Sequence, residues 1–295
     1  MAELPFLLDR AEAAFAAGAA ALLLPLAVYI LISGLDDFIL DALWIRRLLK
    51  GAWKPAFATP VVAGEKRLAV WLPLWQEAEV IGQMLEHNIA AVAYANWEIF
   101  IGCYPNDDAT MSAARLLEAR FPQVHIVMVP WPGPTSKADN LNCIYRGMAE
   151  WEAEHEVRFD GIVVHDAEDL IHPLSLGAIS SMLPDYEMVQ IPVLPLRTSW
   201  FELTHGVYCD DFAESQGKDL ETRVQAGEFL PGCGVGTAFS RAALDRLAGS
   251  VGLFRQGSLT ADYDCGLMLH RAGCRQAFVP LGCERGWPMC TREAF

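Results

Sequence analysis

The sequence predicts an α/β protein, with a doubly wound, largely parallel sheet preceded by an N-terminal transmembrane helix. Three observations support this. A long uncharged segment lies near the N-terminus, strand-like and helix-like patterns alternate through the rest of the chain, and acidic residues follow several predicted strands. Of the 295 residues, 53% are hydrophobic, which is enough for one α/β domain with a large core and an apolar appendage.

Charge and cysteine content exclude two classes of protein. A formal net charge of −15 argues against nucleic acid as a partner, since binding the phosphate backbone requires a basic surface. The eight cysteines form no CxxC pair, so neither a zinc site nor a redox motif is indicated. Reduced cysteines in a cytosolic compartment fit this pattern better than a disulfide framework.

The uncharged N-terminal segment covers residues 13–34, close to the roughly 20 residues that span a bilayer. Basic residues follow it, which places the N-terminus outside and the rest of the chain in the cytoplasm of a bacterium, at the inner membrane. A buried core helix or a cleaved leader remain alternatives. These basic residues are Arg46, Arg47, Lys50 and Lys54.

The chain is expected to divide after residue 60. Residues 1–60 would hold the helix, an amphipathic collar around Asp36, Asp37 and Asp41, and the start of a linker that covers residues 54–65. Residues 61–295 would form the cytoplasmic domain.

Five apolar runs of strand length follow the linker, separated by segments with helical periodicity. Such alternation is typical of a parallel sheet with helices on both faces. The predicted strands are 68–72, 97–103, 124–129, 161–165 and 187–194. The predicted helices between the first strands are 76–93, 109–120 and 136–155, and a longer one covers 200–226.

Chemically active side chains follow four of these strands. Parallel sheets bind ligands beyond the carboxyl ends of their strands, so these residues are expected to share one site. Asp166 and Glu168 would point the same way if their strand continued, and could then hold one Mg²⁺ or Mn²⁺ ion. The residues at the strand ends are Pro73 and Glu77, Asp107 and Asp108, Lys137 with Asp139 and Asn140, and the DAED segment 166–169.

Each cluster also has a purely structural interpretation. Asp107 or Asp108 could be a helix N-cap, and Asp169 could cap a helix beginning near Pro173. Lys137 could be a solvated lysine in the first turn of a helix. Only the convergence of all the clusters at one sheet edge favours a metal-assisted nucleotide diphosphate site.

Two later segments extend this site. The glycines of GCGVGTAFSR, residues 232–241, do not form a dinucleotide-binding fingerprint, and close approach of the backbone to a ligand explains them better. Asp262 lies at a predicted helix N-terminus, where an ionised carboxylate is stabilised, although it could serve only as a capping acid.

The order of these motifs resembles the membrane-bound family 2 glycosyltransferases, which include cellulose and hyaluronan synthases. The resemblance covers about residues 10–295, and within the family it is strongest to a bacterial inner-membrane subgroup. It implies a GT-A nucleotide-sugar fold and transfer of a hexose or N-acetylhexosamine from a UDP-sugar to a saccharide acceptor, in exopolysaccharide synthesis.

The resemblance also implies roles for individual residues. Asp262 matches the catalytic base of the TED motif, although Ala261 departs from it. Asp166 and Glu168 match the DxD motif that holds Mg²⁺ or Mn²⁺, with Glu in place of the second Asp. The donor-binding residues implied are Pro73, Glu77, Asp107, Asp108, Lys137 and Asp166, and the acceptor-binding residues are Cys233, Gly234, Gly236 and Thr237.

One departure leaves alternatives open. The family carries a QxxRW motif beyond the TED segment, whereas GWPMCTREAF contains Trp287 and Arg292 in a different order and spacing. The chain is therefore expected to be a C-terminally truncated fragment. A non-enzymatic, membrane-anchored binding or receptor protein is the main alternative. A nucleotidyltransferase is disfavoured because no glycine-rich phosphate loop follows the first strand.

Overall fold

The structure is a computed structural model that describes most of the chain. The described residues are 3–50, 66–183, 185–196, 199, 201–248, 253–258, 260–279, 283–284, 287–288 and 290–293. The chain divides into two compact units, Met1–Lys54 and Pro55–Phe295. The predicted linker and the predicted boundary after residue 60 lie outside the described residues.

The first unit consists of helix α1, Glu3–Leu49, with Pro25 in its interior. By length and composition, Glu12–Leu49 is the one helix in the described part of the chain that could cross a membrane, and its apolar window is not buried in the structure. At 1.5 Å per residue α1 is about 70 Å long, roughly twice the hydrocarbon thickness. The acidic residues of the predicted collar lie within this same helix.

The second unit alternates strands and helices. The helices are α2 Ile81–Ala91, α3 Asp108–Arg120, α4 Lys137–His155, α5 Ser175–Met182, α6 Leu203–Glu214, α7 Leu220–Gln225, α8 Arg241–Leu247 and α9 Ala261–Arg271. The strands are β1 Leu68–Pro73, β2 Trp97–Cys103, β3 Val124–Met128, β4 Gly161–Val164, β5 Asp169–Leu170, β6 Met188–Gln190, β7 Val193–Pro195, β8 Thr237–Ser240, β9 Gln276–Phe278, β10 Cys283–Glu284, β11 Trp287–Pro288 and β12 Thr291–Glu293.

Seven strands form the main sheet, in the order β3-β2-β1-β4-β8-β6-β9. The pairs β1–β2, β2–β3, β1–β4 and β6–β9 are parallel, and β8 is antiparallel to both of its neighbours. The predicted α/β class and largely parallel sheet are therefore confirmed. The strand order reverses between β1 and β4, and such a switch point is where α/β sheets bind ligands.

Helices cover both faces of the main sheet. Along β1, Leu68, Val70 and Leu72 face one core with residues of α2, α3 and α5. Ala69 and Trp71 face the other core, which contains residues of α4, α8 and α9. This alternation follows from the two-residue period of a strand, and a strand buried on both sides needs an uninterrupted apolar sequence.

Three expectations about secondary structure were wrong. The run 187–194 forms two strands, β6 and β7, because Pro192 lies between them and cannot donate a ladder hydrogen bond. The helix expected over 200–226 begins at Leu203 and contains a π-helical segment, Ser215–Asp219, between α6 and α7. Strand β4 ends at Val164, so it does not continue through the DAED segment.

A second, three-stranded sheet has the order β5-β12-β7. In it β12 pairs antiparallel with β5, which directly follows the acidic turn after β4, and parallel with β7. The segment 291–293 therefore connects the end of the acidic turn to the strand that follows β6.

A buried ion pair joins α8 to α4. The guanidinium of Arg241 donates to both carboxylate oxygens of Glu152, with a shortest distance of 2.9 Å, and also contacts Asp245 and the Tyr145 hydroxyl. Glu152 in turn accepts the backbone N–H of Phe159 at 2.8 Å. Because both partners are nearly inaccessible to solvent, this pair fixes the two helices against each other.

We expect Arg241→Met to lower the free energy of unfolding by about 3 kcal/mol, since it leaves the buried Glu152 carboxylate without its cation. Arg158→Met is the matched control, because Arg158 is 66% exposed where it pairs with Asp245, and a loss below about 1 kcal/mol is expected. Denaturant unfolding of the detergent-solubilised protein measures both. Equal losses would contradict the prediction.

Candidate active site

The predicted site residues lie at one edge of the main sheet. Strands β1 and β4 pair in parallel up to Trp71 and Val164, so their carboxyl ends are adjacent at the switch point. Strand β2 ends beside β1 on its other side. The residues brought to this edge are Pro73 at the end of β1, Glu77 after β1, Asp107 and Asp108 after β2, and Asp166 and Glu168 after β4.

Lys137 is the central cation of the site. It is the first residue of α4, which starts with a capping box between Ser136 and Asp139. Its Nζ lies 2.6 Å from Asp166 Oδ1 and donates to the Gly234 carbonyl at 3.0 Å. Burial alone would lower the pKa of Lys137, but the carboxylates of Asp166 and Asp262 raise it above its ordinary value. The lysine is thus a positive charge held by Asp166 and the Gly234 carbonyl, and its side chain remains 34% exposed.

Carboxylates crowd around this lysine. Burial raises the pKa of Asp166 despite the opposing effect of Lys137. Burial and then the charges of Asp166, Asp169 and Glu77 raise the pKa of Glu168 to about 6. Burial, Asp166 and Asp107 raise the pKa of Glu77 in the same way. One lysine therefore leaves an excess of negative charge at the switch point.

Asp166 and Glu168 do not project from a continuing strand, so the condition for a common strand direction of the two side chains is not met. Residues after Val164 leave the sheet, and the N–H of Asp169 bonds back to the Asp166 carbonyl at 3.3 Å. Asp169 does not cap a helix either. Helix α5 has Leu174 at its N-cap position with no side-chain cap bond, and Asp169 lies fully buried in β5.

Asp107 is the N-cap of α3. This was the structural alternative proposed for Asp107 or Asp108. Its Oδ1 accepts the Thr110 N–H at 3.3 Å, and its Oδ2 accepts the Gln76 N–H at 2.6 Å. The second bond holds Gln76 in a left-handed conformation with φ 60°, so the loop after β1 is fixed against α3. Asp108 is exposed in the first turn of α3, and it is the freer carboxylate of the two.

The glycine-rich segment and Asp262 close the other side of the site. Asp262 is in the first turn of α9, and a Cβ on Gly234 would lie 2.8 Å from its Oδ2 and 3.5 Å from Lys137 Nζ. A Cβ on Gly232 would lie 2.6 Å from the Asp262 carbonyl. Glycine at these positions therefore allows the loop to approach the acid and the lysine. Burial raises the pKa of Asp262, partly offset by Lys137 and reinforced by Asp166.

The four predicted acceptor residues differ in their positions. Cys233 is half-buried, whereas Gly234, Gly236 and Thr237 are buried, and the Gly234 carbonyl accepts a hydrogen bond from Lys137. Thr237 is the first residue of β8, and its hydroxyl donates to Gln190 Oε1 at 2.6 Å. The structure thus places Gly234 beside the lysine, whereas the Cys233 N–H and the Thr237 hydroxyl both donate to Gln190 Oε1.

Gln190 is a site residue that the sequence interpretation missed. Its fully buried amide donates to the Val235 carbonyl at 2.8 Å and accepts the Cys233 N–H at 3.2 Å. Gln216, in the π-helical segment, contacts Cys233 Sγ from the other side at 3.4 Å. A lone polar residue inside the apolar run MVQIPV was the available signal, since a buried amide requires partners.

The donor set fits a divalent hard cation. Mg²⁺ and Mn²⁺ prefer oxygen ligands, and Mg²⁺ commonly binds one or two carboxylates together with substrate phosphates and water. Asp166 and Glu168 offer such carboxylates in a turn with surplus negative charge. Among the described residues there is no group of three or more His, Cys, Asp or Glu side chains that would form a closed protein site.

Comparison with known proteins decides the family. The sequence profile described as "Glycosyltransferase like family 2" matches residues 66–285. The chain belongs to glycosyltransferase family 2. The resemblance inferred from the motif order is therefore confirmed, and the switch-point cluster is the candidate active site of a family 2 domain.

The chain is also similar to curated relatives in this family. Bacteriophage adsorption protein B of Escherichia coli strain K12 is 39% identical over 263 residues, which covers 86% of this chain and 35% of the relative. Bacteriophage N4 adsorption protein B of Escherichia coli O157:H7 matches to the same extent. The chain thus spans about a third of the length of these relatives.

Solved structures show the same fold at low identity. A mannosyltransferase from Pyrobaculum calidifontis, solved in complex with GDP-Man and Mn²⁺, has a TM-score of 0.53 and 21% identity, covering 83% of this chain and 64% of that one. S. aureus TarS has a TM-score of 0.53 and 11% identity, covering 78% and 37%. These likenesses confirm the GT-A fold of the family 2 domain.

We expect Gly234→Ala to destabilise the protein more than Gly227→Ala. Both glycines have positive φ, 79° and 89°, so both substitutions cost roughly 1–2 kcal/mol of backbone strain. Only the Gly234 methyl would also press on Asp262 Oδ2, which should add about 1–3 kcal/mol. A Cβ on Gly227 meets no described atom within 4 Å. Thermal unfolding compares the two variants, and equal losses would contradict the proposed close approach.

We expect Glu168→Gln to stabilise the metal-free protein at pH 7. The folded-state pKa of Glu168, about 6, exceeds the ordinary value of 4.5, so its ionisation costs stability as pH rises through this window. Glutamine removes that cost, and the half-exposed position limits the gain to about 2 °C in Tm. The gain should vanish below the ordinary pKa of a glutamate. Thermal unfolding in EDTA across pH tests this, and a variant less stable than wild type at pH 7 would contradict it.

Proposed function

We propose that the chain is the catalytic domain of a membrane-anchored, inverting glycosyltransferase. It transfers a hexose or N-acetylhexosamine from a UDP-sugar to a saccharide acceptor in bacterial exopolysaccharide synthesis. The observation that carries this proposal is the position of Lys137 between Asp166 and the glycine-rich segment that contacts Asp262, at the switch point of a family 2 fold.

Lys137 and the loop after β1 bind the donor in this proposal. The diphosphate lies against the ammonium of Lys137, which stays protonated because neighbouring carboxylates raise its pKa. Pro73, Glu77 and Asp108 border the nucleoside side of the site. Asp107 acts there indirectly, since its carboxylate fixes the backbone at Gln76.

Asp166 and Glu168 are the residues that would hold the divalent cation. When bound, the cation supplies positive charge that stabilises the diphosphate as a leaving group. A solved neighbour with the same fold is in complex with Mn²⁺, which supports this choice of metal. The surplus of carboxylates over Lys137 at this edge supports it independently.

Asp262 takes the proton of the acceptor hydroxyl. The acceptor oxygen forms a bond to the anomeric carbon while the bond from that carbon to the β-phosphate oxygen breaks, and UDP leaves with the electron pair. Attack from the face opposite the diphosphate inverts the configuration, so no covalent intermediate is required. Burial raises the pKa of Asp262, which makes it a stronger base once it is ionised.

Helix α1 anchors the domain in the inner membrane in this proposal. Its uncharged part is long enough to span the bilayer, and Arg46, Arg47 and Lys50 lie beyond that part. The excess of basic residues on this side favours a cytoplasmic location for the domain. There a nucleotide-sugar donor, but no nucleic acid, is the expected partner.

A binding or receptor component without catalytic activity is the second candidate. The adsorption proteins to which the chain is 39% identical are named for a role in phage attachment. Titration of UDP with and without Mn²⁺, followed by a turnover assay, separates the two candidates. Metal-dependent binding of UDP without release of UDP from any UDP-sugar would favour the receptor.

We expect Asp262→Asn to reduce sugar transfer at least 10²-fold while changing UDP affinity less than about threefold, because the base contributes to the reaction and not to donor binding. Release of UDP from a panel of UDP-sugars by the detergent-solubilised protein measures transfer, and calorimetry measures binding. Lys137→Met, in contrast, should act mainly on the donor and weaken UDP binding. Undiminished transfer by Asp262→Asn would contradict the assignment of the base.

A further inference from the structure

Asp169 is the most deeply buried acid of the DAED turn. It is 0% exposed, and its Oδ2 accepts the backbone N–H of Asp166 at 2.9 Å. The same oxygen lies 2.9 Å from His165 Nδ1. Its Oδ1 is buried without a hydrogen-bond partner among the described residues. A carboxylate so enclosed is poorly placed to bind a hydrated ion directly, yet it contacts the backbone of the turn that would.

His165 supports this carboxylate from the end of β4. Its side chain is 2% exposed, and its backbone N–H donates to the Trp71 carbonyl at 3.0 Å, which fixes the residue against β1. His165 Nδ1 and Asp169 Oδ2 share one hydrogen bond at 2.9 Å. The ring is therefore held in one orientation at the switch point.

The backbone after Asp169 is fixed as well. The buried Asn88 side chain of α2 donates to the Asp169 carbonyl at 2.8 Å and accepts the Ile171 N–H at 2.9 Å. Strand β12 pairs with Asp169 and Leu170 on the other side. The turn that carries Asp166 and Glu168 is thus restrained at its start by His165 and at its end by Asn88 and β12.

We propose that His165 and Asp169 form a positioning pair that orients Asp166 and Glu168 toward the divalent cation, with Asp169 itself not a ligand. The inference rests on the proposed metal-assisted function. In metal sites, partners that orient the ligands typically contribute 10- to 100-fold to metal affinity. Asp169 acts on Asp166 through the backbone N–H that it accepts, and His165 keeps Asp169 in place.

Substitutions at His165 test the pair. Asn offers an amide N–H near the position of Nδ1, whereas Leu has a similar bulk and no donor. We expect His165→Leu to weaken Mn²⁺ binding by about 10- to 100-fold and to lower UDP affinity only when Mn²⁺ is present. His165→Asn should restore most of the affinity. Electron paramagnetic resonance measures bound Mn²⁺, and calorimetry measures UDP binding in MnCl₂ and in EDTA.

A substitution at Asp169 tests the other member of the pair, and one at a second histidine provides the control. Asp169→Asn keeps the shape of the side chain and removes its charge, and it should also weaken Mn²⁺ binding. Combined with His165→Leu it should add little, because both substitutions disrupt one pair. His172→Leu, which removes a contact to the Leu174 N–H beyond the turn, should leave Mn²⁺ affinity unchanged even if the Tm falls.

Several outcomes would overturn the proposal. Wild-type Mn²⁺ affinity in His165→Leu would do so, and so would equal losses of UDP affinity in MnCl₂ and in EDTA, which indicate a purely structural role. Failure of His165→Asn to restore affinity would also count against it. If the wild-type protein binds Mn²⁺ but not UDP, the proposed donor is wrong, and Mn²⁺ affinity still decides the role of the pair.

Discussion

The structure depends on a charge imbalance at the switch point of the sheet. Parallel pairing of β1 with β4 and β2 brings three strand ends together, and each is followed by carboxylates. Lys137 lies among them and pairs with Asp166 at 2.6 Å. Burying these like charges lowers the stability of the folded state. The raised pKa values of Glu77, Asp166 and Glu168 indicate this cost. A cationic ligand would relieve this cost, so the strain favours metal binding.

Hydrogen bonds to backbone groups, more than contacts between side chains, hold the loops around this site in place. The carboxylate of Asp107 is occupied by two N–H groups, that of Asp169 by an N–H and a histidine, and the amide of Gln190 by the glycine-rich segment. Each of these polar residues is buried, so each would be costly without its partners. Together they fix loops that would otherwise be the most mobile parts of an α/β domain.

The sequence predicted the architecture well because the strands β1, β2 and β4 are continuous apolar runs that leave few alternatives. The position of the acidic residues at one sheet edge was also predicted correctly, since the carboxyl ends of parallel strands lie at the same edge. The prediction failed where a local rule competed with tertiary contacts. Strand alternation suggested a common direction for Asp166 and Glu168, but the Asp169 carboxylate captures the Asp166 N–H and turns the chain. The partners Asn88 and Gln190 act over 43 to 83 residues, which no local pattern can reveal.

Lys137 joins the two halves of the site. The acidic turn directly follows β4 at the edge of the sheet, whereas Asp262 and Gly234 come from segments much later in the chain. Lys137 contacts both, through Asp166 Oδ1 and through the Gly234 carbonyl. A donor diphosphate that competes for the lysine would weaken one or both contacts, and Gly234 lies directly against Asp262. In the proposed function, the Lys137 ammonium would thus link a bound diphosphate to Asp262 through Gly234.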